Sequence, residues 1–135
     1  MHIGEVATRT DLSLRSLRHW DEVGLLRPSG RSDGGFRLYT EDDVERLLLI
    51  RRMKPLGFSL DEMCQAMSDI DALRTPSAEP TRRTQAHDRL QDVETDAQMR
   101  RQKLVDQLAM ADEFIALLRD ELSEEQGHPS PASSA

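Results

Sequence analysis

Cysteine is almost missing from this sequence. Cys64 is the only one in 135 residues, which excludes an internal disulfide, an all-cysteine metal site and an iron–sulfur cluster held by several thiolates. The same scarcity points to an intracellular chain. Aromatic residues make up only 4% and charged residues 32%, a balance that favours long exposed helices over a sandwich or barrel. No apolar run approaches a membrane span, and no basic-then-apolar leader opens the chain. The expectation is a soluble cytoplasmic protein with no membrane partner. The signatures of enzymes are missing as well: no Gly-rich phosphate loop, paired-carboxylate pocket or nucleophile–base arrangement is visible. His2, His19, His87 and His128 are too scattered for a metal site. The sequence therefore implies no catalytic residue, no metal and no cofactor.

What is present is an uneven distribution of charge. The net charge of −7 argues at first against a nucleic-acid partner. Residues 1–58 hold 10 Lys and Arg against 9 Asp and Glu, and residues 59–135 hold 8 against 16. A near-neutral head can still present one cationic face while the acidic half stays clear of phosphates. The length allows one small core plus an appendage.

Residues 3–9 predict a short helix with Ile3, Val6 and Ala7 on one face. Thr10-Asp11-Leu12 breaks it, and Ser13 can N-cap a second helix through Asp21. On that helix Leu14, Leu17 and Trp20 share one arc, predicted to bury. Arg15, Arg18, His19 and Glu22 share the opposite arc. Gly24 and Pro28 then introduce an extended segment. RSDGGFRLYT (residues 31–40) reads as a hairpin, because Asp-Gly and Gly-Gly accept positive φ at little cost. Period-two alternation sends Phe36 and Leu38 one way and Arg37 and Tyr39 the other. Thr40 with Asp43 and Ser59 with Glu62 have capping-box spacing at the starts of a third and a fourth helix. Val44, Leu47, Leu48 and Ile50 supply the buried side of one; Leu60, Met63, Cys64 and Met67 form the stripe of the other. Phe58 and Met63 are placed for a hydrophobic staple. Cys64 reads as a small core residue.

Residues 71–81 carry Pro76 and Pro80 and read as a hinge. Residues 82–124 read as one long helix, since no Pro or Gly occurs there; unbroken, its length would be about 60 Å. Ala86, Leu90, Val93 and Ala97 step by 4, 3, 4. Arg101, Leu104, Leu108, Ala111, Ile115, Leu118 and Leu122 continue the heptad pattern after a four-residue shift, the mark of a stutter. A lone helix cannot bury such a stripe, and each large side chain left in water forfeits about 1.5–3 kcal/mol. The head offers no spare long helix, so a second copy is the simplest partner, with Leu104, Leu108, Ala111, Ile115, Leu118 and Leu122 as dimerisation residues. Arg101 is either a register-setting polar residue or a snorkelling one. Residues 125–135 read as a disordered tail.

Two short helices around a tight turn, followed by a hairpin, make a winged helix-turn-helix. Its second helix fits a DNA major groove. The candidate contacts are Ser13, Arg15, Ser16, Arg18 and His19 on that helix. On the wing they are Arg31, Phe36, Arg37 and the Tyr39 hydroxyl, with an acid such as Asp33 a candidate ion-pair partner for one wing arginine. IGEVA, LRSLRHWDEVGLL, Pro28, Arg31, GGFRLY, LLLIRR and LGFSLDEM occur in that order over residues 2–68. Together they resemble the DNA-binding head of the MerR family of bacterial transcription regulators.

The resemblance implies a mainly α fold: a winged helix-turn-helix head over residues 1–70, then a long dimerisation helix paired antiparallel with its copy. It implies a homodimer on a palindromic promoter whose two recognition elements are spaced too far apart. The dimer would bend and untwist the spacer and so act on RNA polymerase indirectly, without itself being an enzyme. Deforming the duplex costs a few kcal/mol, offset by phosphate contacts. Three departures stand out. Asp11 occupies a turn position where the family often has Gly. His19 and Trp20 replace two tyrosines, so a phosphate contact from position 19 weakens or becomes pH-sensitive. Phe36 replaces the wing tyrosine. The thiolates of the metal-sensing branch have no counterpart, and the class of any small-molecule effector is unknown. Two other readings stand beside this one: a coiled-coil interaction protein whose winged head binds protein, and a DNA architectural or recombination accessory factor.

Overall fold

The computed structural model describes residues 1–127. In chain order it contains α1 (Ile3–Thr10), α2 (Leu14–Glu22), β1 (Gly30–Arg31), β2 (Arg37–Leu38), α3 (Glu41–Met53), a 3-10 turn (Lys54–Leu56), α4 (Leu60–Arg74) and α5 (Pro80–Gly127). The chain forms two compact units, one ending at Asp96 and one beginning at Ala97.

The first unit is built around a small apolar centre. Val6 of α1, Leu17 and Trp20 of α2, Leu47 and Ile50 of α3, and Met63 and Met67 of α4 are all buried. Burying each such side chain is worth about 1.5–3 kcal/mol. Leu14 differs from expectation. It is 40% exposed, because it occupies the first position of α2, before the helix turns onto the core. The turn between α1 and α2 closes through Asp11, whose backbone lies in the left-handed region at φ 55°. Asp tolerates that conformation better than most residues, which is how the chain manages without glycine there. Both expected capping boxes are formed, at Thr40–Asp43 and Ser59–Glu62.

The wing is a two-residue ladder pairing Gly30 with Leu38 and Arg31 with Arg37. Asp43 fixes its root. Beyond its capping-box bond to Thr40 N, this buried carboxylate accepts from Ser29 N at 3.0 Å and Ser29 Oγ at 2.9 Å. The amino-terminal residues extend the ladder, since Tyr39 N donates to Met1 O at 2.7 Å. Tyr39 is where the alternation fails. It is 2% exposed, and its hydroxyl has no hydrogen-bond partner among the described residues. The physical reason is the length of β2: the strand ends at Leu38, so period two has nothing to run along. The phenol turns into the core instead of out toward a phosphate.

The hinge is shorter than expected. Asp71–Arg74 complete the last turn of α4, and α5 opens at Pro80, leaving residues 75–79 as the connection. Proline at a first helical position loses no internal hydrogen bond. Three arginines tie the start of α5 to α4. Arg82 bonds Ser68 O and Oγ, Arg83 bonds Ala72 O and Thr75 O, and Arg89 makes two bonds to Asp69 at 2.7 and 3.0 Å. Ala86 is completely buried, while Leu90 and Val93 are half-buried. The first stretch of the heptad stripe is therefore received by the chain's own head, which corrects the expectation of one continuous intermolecular seam. The stutter after Ala97 lies at the unit boundary. α5 stays helical through Gly127, so the expected tail loses residues 125–127; residues 128–135 lie outside the described residues.

Two outcomes follow from this packing. An unpartnered buried hydroxyl destabilises, so Tyr39→Phe should raise stability by about 1 kcal/mol in chemical denaturation. The Arg89 guanidinium holds the Asp69 carboxyl below its ordinary value of 3.8, against the upward push of burial. A depressed carboxyl stabilises above its unfolded-state value, and that contribution is lost as pH falls through the folded-state value. Arg89→Ala should thus lower the thermal midpoint at neutral pH, with the deficit closing below about pH 4. Melts followed by circular dichroism across that range check it.

Candidate nucleic-acid interface

The candidate recognition face starts with a cap. Ser13 Oγ accepts from Ser16 N at 3.0 Å and donates to Ser16 Oγ at 2.9 Å. Both serines of the predicted contact set therefore hold the first turn of α2. Leu17, Trp20 and Asp21 form the buried side of this helix. Arg15, Arg18 and His19 are exposed, as the arc analysis requires. They line an open hollow of about 490 Å³ together with Ser16, Trp20, Glu22 and Lys54. Lys54 was not expected there. It comes from the turn after α3, and its Nζ lies 5.3 Å from the centre of the Trp20 ring, within cation–π range. No spacing rule links position 54 to position 20; only the fold brings them together.

The wing arginines are engaged differently from the expectation. Asp33 is not their acid. Both reach Asp21 on the last turn of α2: Arg31 Nη2 donates to Oδ2 at 2.8 Å and Arg37 Nε to the same oxygen at 2.7 Å. Arg31 Nη1 also donates to Gly35 O at 3.3 Å. Two cations directly opposite on paired strands would repel; a single carboxylate between them offsets that repulsion and fastens the wing to the recognition helix. Burial pushes the Asp21 carboxyl up, but the hydrogen bonds and charges of Arg37 and Arg31 outweigh it and leave the group below its ordinary range. Sequence spacing could not find Asp21, because its periodicity placed it only at the end of a helix. Phe36 is 68% exposed at the wing tip. Its ring lies so close to Gly34 that a Cβ there would meet it at 3.1 Å. Tyr39, predicted beside Arg37, lies in the core instead.

In the second unit, Leu104, Leu108, Ala111, Ile115, Leu118 and Leu122 are all exposed in the single chain, Leu108 to 62%. Met110, Phe114 and Leu117 are exposed as well. They step by 3 and 4 along a second stripe that the heptad count passed over. Among the described residues, no group of three or more His, Cys, Asp or Glu side chains could hold a metal ion. No helix there is long and apolar enough to cross a membrane.

Comparison with known proteins gives this geometry a family. The profile described as MerR HTH family regulatory protein matches residues 1–70, and that described as MerR, DNA binding matches residues 44–110. The nodulation protein NolA of Bradyrhizobium sp. (strain NC92) is 37% identical, over 96% of this chain and 54% of its own length. The HTH-type transcriptional regulator CueR of Vibrio cholerae is 45% identical, over 58% of this chain and 57% of its own. The chain thus spans about half the length of the curated relatives it matches. Among solved structures, a MerR family transcriptional regulator from Bacillus cereus superposes with a TM-score of 0.62 at 26% identity. That match covers 96% of this chain and 84% of the other. With α2, the wing clamped to it and the long α5 in the matched order, the chain belongs to the MerR family of helix-turn-helix regulators.

Proposed function

We propose that this chain is a sequence-specific DNA-binding transcription regulator, acting in the bacterial cytoplasm as a homodimer on a palindromic promoter. The observation that carries this reading is the exposed triad Arg15, Arg18 and His19 on a capped, rigidly backed α2. Beside it the wing is fastened to the same helix. Arginine can bond guanine through two donors or anchor a phosphate, and His19 adds a shorter polar group on the same face. The dimer rests on the exposed stripe from Leu104 to Leu122, which a second α5 would cover. Two heads joined this way match a two-fold symmetric site, and spacer distortion is the route by which such a dimer would act on polymerase. An effector would act only by favouring one dimer geometry over another.

A head that binds protein through its wing would lack the steep salt dependence that phosphate contacts impose. Selection from random duplexes, then footprinting at several salt concentrations, tests the DNA reading and yields the operator. Arg15→Ala and Arg18→Ala should each abolish the specific footprint while the oligomeric mass stays dimeric; wild-type footprints in both variants would refute the assignment. Leu108→Glu places a charge on the seam and should give a monomeric mass by light scattering, with the head's melting transition retained.

A further inference from the structure

The clamp between the wing and α2 divides the labour of the two wing arginines. Resting on the reading of this head as a DNA-binding regulator, we propose that Asp21 is a positioning residue. It makes Arg37 a strut and leaves Arg31 as the wing's one exchangeable cation, so that it raises discrimination between operator and other DNA.

Three features support the division. Arg37 bonds Asp21 through Nε, at the root of the guanidinium, so its fork cannot swing outward without releasing the carboxylate. Its side chain is only 23% exposed. Arg31 bonds through a terminal nitrogen, its second bond is a long one to Gly35 O, and its side chain is 49% exposed. A phosphate can therefore take the outer N–H groups of Arg31 while Arg37 holds the wing in place. Asp21 also subtracts one charge from the pair, leaving the cluster at +1 rather than +2. Phosphate attraction is blind to sequence. An acid that withholds one cation from phosphates and fixes the position of the other lowers affinity for arbitrary DNA more than affinity for the operator.

The test is equilibrium binding across a salt series. It uses the duplex selected by the wild-type chain and a scrambled duplex of equal length. Arg31→Gln should flatten the log–log salt slope by about 0.9, the value for one phosphate contact. Arg37→Gln should leave the slope unchanged while operator affinity falls about tenfold or more. Asp21→Asn should steepen the slope on scrambled DNA by about 0.9. It should tighten that binding up to about eightfold at 0.1 M salt and reduce the operator-to-scrambled ratio. Arg37→Lys keeps the charge and loses Nε–H, so it should lose discrimination as the Gln variant does. Equal slope losses for Arg31→Gln and Arg37→Gln, or wild-type discrimination in Arg37→Lys, would overturn the inference. If Asp21→Asn does not fold, the two Arg37 variants still decide. A wild-type chain that binds no duplex at all overturns the regulator reading and this inference together; equal slope losses against a binding wild type overturn the inference alone.

Discussion

A carboxylate taken out of water costs several kcal/mol unless its oxygens are met by charges and hydrogen-bond donors, and that constraint sets the geometry of this head. Asp21, Asp43 and Asp69 are all buried, and each lies at a joint between elements. Asp21 joins the recognition helix to the wing, Asp43 joins the wing root to α3, and Asp69 joins α4 to α5. A core this small and this poor in aromatic residues fixes relative orientation weakly, because apolar contacts are not directional. Buried acids with assigned donors supply the direction. Each joint tolerates only the arrangement that keeps its oxygens occupied.

The same three residues mark the limit of what the sequence made legible. Local rules worked where the cause was local. Ser13, Thr40 and Ser59 cap as their positions require, and the outward arc of α2 follows from a period of 3.6. Asp43 was legible as a cap and illegible as the anchor of Ser29, fourteen residues earlier. Asp21 and Asp69 carried no signal, since an acid on a helix is solvated by default and its burial depends on which arginines the fold delivers. Tyr39 failed for the opposite reason: alternation was extended past a strand of two residues. Lys54 belongs with Asp21, reached only through tertiary structure.

Arginine makes these joints possible. A guanidinium offers five donors in a planar fork, whereas an ammonium is a compact point charge. Arg89 spans both oxygens of Asp69, Arg82 bonds Ser68 O and Oγ within α4, Arg83 reaches Ala72 O and Thr75 O at its end, and Arg51 donates to Thr10 O at the end of α1. The terminal carbonyls of a helix lack intrahelical donors, so these bonds secure helix ends as well as helix pairs. The heptad stripe fits this division. Up to Val93 it shares α5 with the arginines that bind α4. From Leu104 onward the large apolar side chains are exposed in the single chain. One helix thus carries two kinds of seam, and the four-residue shift separates them.

Formal charge then becomes a poor guide to what the head can bind. Arg9 is paired with Glu41, Arg37 with Asp21, and Arg46 with Asp71. A cation already neutralised by a fixed acid must give up that partner to neutralise a phosphate and release the counterion condensed on it, so moving it toward a phosphate gains less than moving an unpaired one. Arg15 and Arg18 have no such acid partner among the described residues, and they share one exposed helical face. The head's sum of +1 is therefore compatible with a local excess where α2 is exposed, because Arg15, Arg18 and Lys54 line the hollow there against Glu22 alone. Attraction to a polyanion is governed by that local excess rather than by the total, which is how a chain with a net charge of −7 can present the cationic face that the proposed function needs.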